Sequence, residues 1–143
     1  MKATYFKSKI AYKKFQVWNF ERVLRAPFAS GGYWTGKVNS LTTKNAPGFV
    51  SRRVSGKLEL CENGYHAFSI SASGCWENTS EKVYKVELLN GMVPYRGCTK
   101  ILGTQFRIIE ETSWTELKRL RTKLYAKYKH DAELKRENRK NQG

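Results

Sequence analysis

The chain has 143 residues, of which 40% are apolar and 13% aromatic, and its formal net charge is +15. One domain of this length buries a core without disulfides or a structural metal, and the composition is not that of a disordered chain. No apolar run approaches the roughly 20 residues that span a bilayer, and early lysines interrupt the apolar stretch that a signal peptide needs. We therefore expect a cytoplasmic protein.

The positive charge is concentrated at the two ends of the chain. Residues 1–58 carry a net charge of +11, residues 59–112 carry −2 and residues 113–143 carry +6. A near-neutral centre between cationic ends predicts a folded core whose ends bind a polyanion. Charge and aromatic content together favour nucleic acid. A membrane surface needs a wide apolar helix face, which this sequence lacks, and a soluble basic protein without a polyanion partner is the alternative.

The first 48 residues predict few regular elements. Residues 11–15 predict a strand, and residues 19–25 predict one or two helical turns that end before Pro27. Residues 30–48 are rich in Gly, Ser, Thr and Asn and predict a long loop or an irregular hairpin. Such loops in compact domains are often functional.

The middle of the chain predicts strands. Residues 57–61 and 82–88 alternate polar and apolar positions, a turn at 62–64 precedes an apolar segment at 65–68, and residues 105–110 are rich in β-formers. The dipeptide Asn90-Gly91 predicts a further turn. Together these segments predict an antiparallel sheet of four to six strands.

The end of the chain predicts an amphipathic helix. Ser113 and Glu116 have the spacing of a capping box. One stripe, at spacings of three and four residues, contains Trp114, Leu117, Leu120, Leu124 and Tyr128. The predicted fold class is therefore α+β: a single domain over residues 1–128, with the helix packed on the sheet. Residues 129–143 predict a basic, partly disordered tail or an extension of the helix.

Several basic and aromatic side chains are candidates for nucleic-acid binding. Arg119, Lys123 and Lys127 form a row at i, i+4 spacing, and an ordinary solvated helix face is the alternative interpretation. An exposed ring on the glycine-rich loop would stack on a base, and nearby cations would neutralise phosphates. No recognised nucleic-acid-binding motif is present. The predicted binding residues are Tyr33, Trp34, Lys37, Arg52, Arg53, Lys118, Arg119, Lys123 and Lys127.

Three cysteines and one histidine have the side chains that zinc prefers. Cys61, His66, Cys75 and Cys98 lack the tight Cys-x(2–4)-Cys pair of a zinc knuckle, so we predict no metal and no cofactor, and buried thiols instead. An odd number of cysteines also fits a reducing compartment. His66 is either a general base or, as for most single histidines on strands, a structural group.

The segment Leu60-Cys61-Glu62-Asn63-Gly64-Tyr65-His66-Ala67 resembles a motif of small uncharacterised bacteriophage and prophage domains. The resemblance covers about residues 57–111, with the later strands at 83–88 and 107–111. It implies an origin in a phage or mobile element and a role in redirecting host machinery. An aromatic opening strand followed by Gly-aromatic-His also resembles ADP-ribosyltransferase folds, although the glutamate and nicotinamide-binding residues of those enzymes cannot be placed here.

We therefore expect a non-enzymatic, phage-type protein that binds nucleic acid, either RNA or DNA, or a host nucleoprotein complex, and modulates host machinery. Two alternatives stay open. One is an enzyme acting on a nucleotide or RNA, ADP-ribosyltransferase-like or a nuclease, with His66 at its centre. The other is an inhibitor whose basic ends bind an acidic surface of a host protein.

Overall fold

A computed structural model of the protein describes residues 2–18, 23–25, 27–28, 32–33 and 46–142. Six strands of this part form one antiparallel sheet in the order β2-β1-β6-β7-β5, with β8 also paired to β6, while β3 and β4 pair separately. This arrangement confirms the predicted α+β class. The elements are β1 (Thr4–Trp18), β2 (Val23–Arg25), β3 (Pro27–Phe28), β4 (Gly32–Tyr33), β5 (Tyr65–Ala67), a 3-10 turn (Ser73–Cys75), β6 (Lys82–Val93), β7 (Ile101–Gly103), β8 (Gln105–Thr112) and α1 (Trp114–Gln142).

The long pairing of β1 with β6 forms the centre of the sheet. It extends from Thr4 opposite Val93 to Phe15 opposite Lys82. Because alternate side chains of a strand point to opposite faces, each of these strands contributes to two sides of the sheet. The inner face buries Ala11, Phe15, Tyr65, Ala67, Tyr84, Val86, Leu88, Leu102, Phe106 and Ile108.

The sheet curls until the end of β5 contacts β1. β5 pairs with β7, and the next residue, Phe68, exchanges backbone hydrogen bonds of 2.8 and 2.9 Å with Tyr12 of β1. Residues 48–54 run along the other edge of β8, where the Ser51 N–H donates to the Phe106 carbonyl at 2.8 Å. The sheet therefore encloses its inner face as a partial barrel.

A smaller apolar cluster on the outer face holds the start of α1. Leu117 is 1% exposed and packs with Phe68 and Val83, and Trp114 and Leu120 lie at the edge of the cluster. This is the predicted packing of the helix on the sheet. α1 is too polar to cross a bilayer, and the described part of the chain contains no other candidate span.

The strand predicted over residues 57–61 is wrong. This segment forms a turn whose only ladder contact is the bridge between Glu59 and Asn63. The Asn63 side chain donates to the carbonyls of Ser55 and Lys57 at 2.8 and 2.9 Å. An asparagine that satisfies the backbone locally competes with strand pairing, and here the local bonds prevail.

Two other local predictions are wrong because strand pairing overrides the local signals. Val23–Arg25, within the predicted helical turns, forms β2 against β1. Asn90-Gly91 does not turn the chain, because β6 continues through it with Asn90 at φ 45°. A Cβ at Gly91 would overlap the Leu102 carbonyl oxygen and the Phe6 ring, so the glycine serves close packing.

The core also contains a lysine. Lys13 is 2% exposed and lies opposite Tyr84 in the β1–β6 pair. Its Nζ donates to the His66 carbonyl at 2.6 Å and lies 5.8 Å from the centre of the Phe106 ring. No carboxylate of the described residues pairs with it. Burial, with a smaller effect of the charge on Lys14, lowers the pKa of Lys13 to about 7.

This buried lysine predicts that the fold is more stable in mild alkali than at neutral pH. Between about pH 7 and pH 10.5 the unfolded chain holds a proton on Lys13 that the folded protein has released, so raising the pH favours folding. The contribution amounts to about 2 kcal/mol between about pH 7 and pH 9. Urea unfolding at both pH values measures it.

Lys13→Met should remove this rise in the free energy of unfolding. Lys14→Met is the matched control, because Lys14 is partly exposed and pairs with Glu81 at 3.7 Å. The control should keep the rise. Equal pH dependence in the two variants would contradict the burial of a neutral Lys13.

Candidate nucleic-acid interface

The first turn of α1 is capped as predicted, but only in part. The Glu116 N–H donates to Ser113 Oγ at 3.1 Å. The Glu116 carboxylate does not return to the cap and instead accepts bonds of 2.9 and 2.5 Å from Arg119. The guanidinium lowers the pKa of Glu116. The charge of Arg119 is therefore compensated within the helix.

The second half of α1 leaves the body of the protein. All side chains from Tyr125 to residue 141 are exposed, a length of about 25 Å at the rise of an α-helix. This segment carries six Lys and Arg residues against three acids. We call residues 125–141 the helical arm. An arm of this kind gains little from packing on its own chain, because most helix stability in proteins comes from a buried face.

The predicted row of cations lies on α1 as expected, with one member paired. Lys118, Lys123 and Lys127 are exposed and form no ion pair with the described residues, whereas Arg119 is bound to Glu116. Cations without partners remain available to an external anion. The row therefore contributes two free charges, and Lys118 beside it adds a third, all on the helix that carries the arm.

Arg52 and Arg53 lie on a different part of the body. Both are exposed on the segment beside the start of β8, and α1 follows the end of that strand. Their backbone is held in place, since Ser51 Oγ accepts from the Phe106 N–H at 2.9 Å and the Tyr65 hydroxyl donates to the Arg52 carbonyl at 2.8 Å. The two arginines and the α1 row thus lie near opposite ends of β8.

Most of the predicted binding residues on the loop lie outside the described residues. Tyr33 belongs to the short strand β4, which pairs with β3. Trp34 and Lys37 lie outside the described residues. The described part of the site is therefore α1 and, separately, the pair of arginines at 52–53.

His66 is held on both sides of its ring. Nε2 accepts from the Cys61 N–H at 3.0 Å, and the ring forms a second hydrogen bond with the Gly64 backbone. Burial lowers its pKa to about 4, aided by the charges of Lys13 and Lys100. A neutral ring with both sides engaged braces the turn before β5. The geometry favours the structural interpretation of this histidine.

Other residues of the segment 60–67 serve the same turn. Cys61 adopts φ 62° and Gly64 adopts φ 127°, where a Cβ would lie 2.8 Å from Leu58 Cδ2. The thiols are not buried as expected: Cys61 and Cys75 are exposed and Cys98 is half-buried. No group of three metal-ligating side chains occurs among the described residues.

Two further residues of α1, Arg121 and Tyr125, were not among the predicted binding residues. Arg121, Tyr125 and the predicted stripe residue Tyr128 follow one another at spacings of four and three residues, so they share a face of the helix. Tyr125 and Tyr128 are 74% and 60% exposed. The spacing was visible in the sequence, but the exposure depends on where α1 leaves the body.

No protein-family model matches this chain, and no curated protein or solved structure is significantly similar to it.

His66→Ala should weaken the fold and change its response to acid. Loss of the hydrogen bonds to the turn is expected to lower the free energy of unfolding at neutral pH by roughly 1–3 kcal/mol. Between about pH 6.5 and pH 4, the unfolded wild-type chain binds a proton at His66 that the folded protein excludes, so acid destabilises the wild type. That contribution should vanish in the variant.

The matched control is His130→Ala, which changes the other histidine, exposed on the helical arm. This control should keep the acid sensitivity of the wild type. Urea unfolding measures the free energy of unfolding as the pH falls. The same dependence on acid in both variants would contradict the structural role of His66.

Proposed function

We propose that this protein binds nucleic acid without catalysing a reaction, and that α1 is its main contact surface. The carrying observation is the helical arm, a long basic helix that extends from the body with all its described side chains in solvent. α1 as a whole carries ten Lys and Arg residues against four acids, and its only described ion pair is Glu116–Arg119. Such a surface attracts a densely charged polyanion.

The chemistry of the arm supports nucleic acid over an acidic protein as the partner. Each Lys or Arg that neutralises a phosphate releases condensed counterions, a source of affinity that nucleic acids offer along their whole length. Two exposed tyrosines stand among these cations. In a nucleic acid, bases can stack on the aromatic rings while phosphates bind the cations. The carboxylates of an acidic protein would bind the cations but leave the rings without a stacking partner.

The proposal includes a nucleic acid that is part of a larger assembly. The resemblance of residues 57–111 to phage domains supports a host nucleoprotein complex as the target and the host cytoplasm as the place of action. The engaged ring of His66 gives no support to the enzyme alternative. We therefore place the activity in binding.

The affinity for nucleic acid should fall steeply as salt rises. Lys118→Gln/Lys123→Gln/Lys127→Gln removes three unpaired cations of α1. It should weaken binding and reduce the slope of log affinity against log salt by about 2, since each phosphate contact contributes about 0.7–0.9. Fluorescence anisotropy with a labelled oligonucleotide measures both quantities.

Lys2→Gln/Lys7→Gln/Lys9→Gln is the matched control. It removes the same net charge from exposed positions at the other end of β1 from α1. The control should keep most of the salt dependence. Affinity that stays flat as salt rises would refute nucleic-acid binding, and equal losses in both variants would refute α1 as the main contact.

A further inference from the structure

A groove opens where α1 leaves the body. Its volume is about 300 Å³, and it is lined by Ser71 on one side and by Arg121, Thr122, Leu124, Tyr125 and Tyr128 on the other. Known small-molecule sites start at about this size, so the groove has room for one flat heterocycle and little more.

Arg121 is fixed at the inner end of this groove. Its Nη1 donates to Ser73 Oγ at 3.0 Å, and Ser73, which is buried, donates in turn to the Ile70 carbonyl at 2.7 Å. The guanidinium lies against Gly74, where a Cβ would come within 2.8 Å of Nη1. No carboxylate of the described residues pairs with Arg121. Its remaining N–H groups therefore form a positioned anion-binding fork.

Two tyrosines form the outer wall. Tyr125 and Tyr128 project from adjacent turns on the face that carries Arg121, and both are largely exposed. Exposed aromatic rings beside a positioned cation are the elements of a base-stacking platform, in which each stacked base contributes about 1–3 kcal/mol.

The same face continues along the helical arm without an acidic residue. Positions advance by alternating steps of four and three residues, which keeps them on one side of a helix. We call this set the aromatic–basic stripe: Arg121, Tyr125, Tyr128, Ala132, Lys135 and Arg139. The four acids of α1, Glu116, Asp131, Glu133 and Glu137, all lie off it. The stripe is about 27 Å long at 1.5 Å per residue.

We propose that the groove binds an unpaired base of a single-stranded nucleic acid, stacked on Tyr125 and Tyr128, with an adjacent phosphate on Arg121 and phosphates further along the strand on Lys135 and Arg139. This inference rests on the proposed function and specifies its substrate class. A duplex keeps both faces of its bases stacked, so only a single strand offers a ring to the tyrosines. An acidic peptide would satisfy Arg121 but leave the two rings without a flat partner.

Binding to three labelled ligands of equal length tests the inference: a single-stranded oligonucleotide, its duplex, and an abasic strand that keeps the phosphates but lacks bases. The wild-type protein should bind the single strand about 5- to 150-fold more tightly than the abasic strand, as stacking of one base predicts. Tyr125→Leu/Tyr128→Leu should abolish that preference and keep the salt dependence. Tyr125→Phe/Tyr128→Phe should preserve it, because phenylalanine still stacks.

Tyr5→Leu is the matched control, since Tyr5 is 69% exposed on β1, and it should leave the preference intact. Circular dichroism checks that each variant keeps its helix. Salt-sensitive binding with no preference for the single strand, or a preference that survives the leucine double variant, would overturn this inference and leave the proposed function standing. Binding that is insensitive to salt would overturn the proposed function itself. A polyglutamate peptide that binds as tightly as the single strand would overturn the inference in favour of an acidic protein partner.

Discussion

The pairing of β1 with β6 is the interaction on which the rest of this structure depends. The two strands are the longest in the described sheet, and successive residues of β6 serve its two faces: Tyr84 packs in the inner core and Val83 in the outer cluster. The outer cluster holds Leu117 and thereby the first turns of α1. If the β1–β6 register shifted by one residue, the two faces would exchange their side chains. α1 would then lose the apolar cluster on which it packs.

Because only its first turns are anchored, α1 has two parts that are stabilised in different ways. Up to Leu120 the helix has apolar neighbours, a cap and an internal ion pair, so packing maintains it. Beyond that residue it depends on intrinsic propensity and on the continuation of a helix already started. Its like charges repel one another, so they do not stabilise the helix in the isolated protein. The same charges would attract an anionic partner. Such weakly supported segments are also the first to open, so the arm has low local stability in the isolated protein.

The part of the fold that follows from periodicity could be predicted. Alternation predicted the core of β6, and β-forming residues predicted the core of β8. The spacing of Trp114, Leu117 and Leu120 predicted the packed face of α1. The failures occurred where tertiary contacts overruled local signals. Asn90-Gly91 has the composition of a turn but lies inside β6, and residues 57–61 alternate like a strand but are tied by Asn63. Lys13 shows the same limit, because the alternation of β1 places it inward although its charge favours solvent.

The candidate site was predictable to a similar extent. Composition alone indicated a basic helix, and the i, i+3 spacing of Glu116 and Arg119 indicates that one member of the row is compensated. The position of Arg121 was not predictable, because Ser73 and Gly74 come from a distant turn of the chain. Nor does the sequence say where a helix leaves its domain. That point decides which tyrosines are buried and which, like Tyr125 and Tyr128, are exposed.

The most direct measurement of the central claim is the map of ultraviolet cross-links between the full chain and a single-stranded oligonucleotide. Peptide mass spectrometry locates the cross-linked side chains without any substitution in the protein. The interface described for α1 predicts cross-links within residues 118–142, concentrated at Tyr125 and Tyr128. Cross-links confined to the body of the protein, with none on α1, would contradict it.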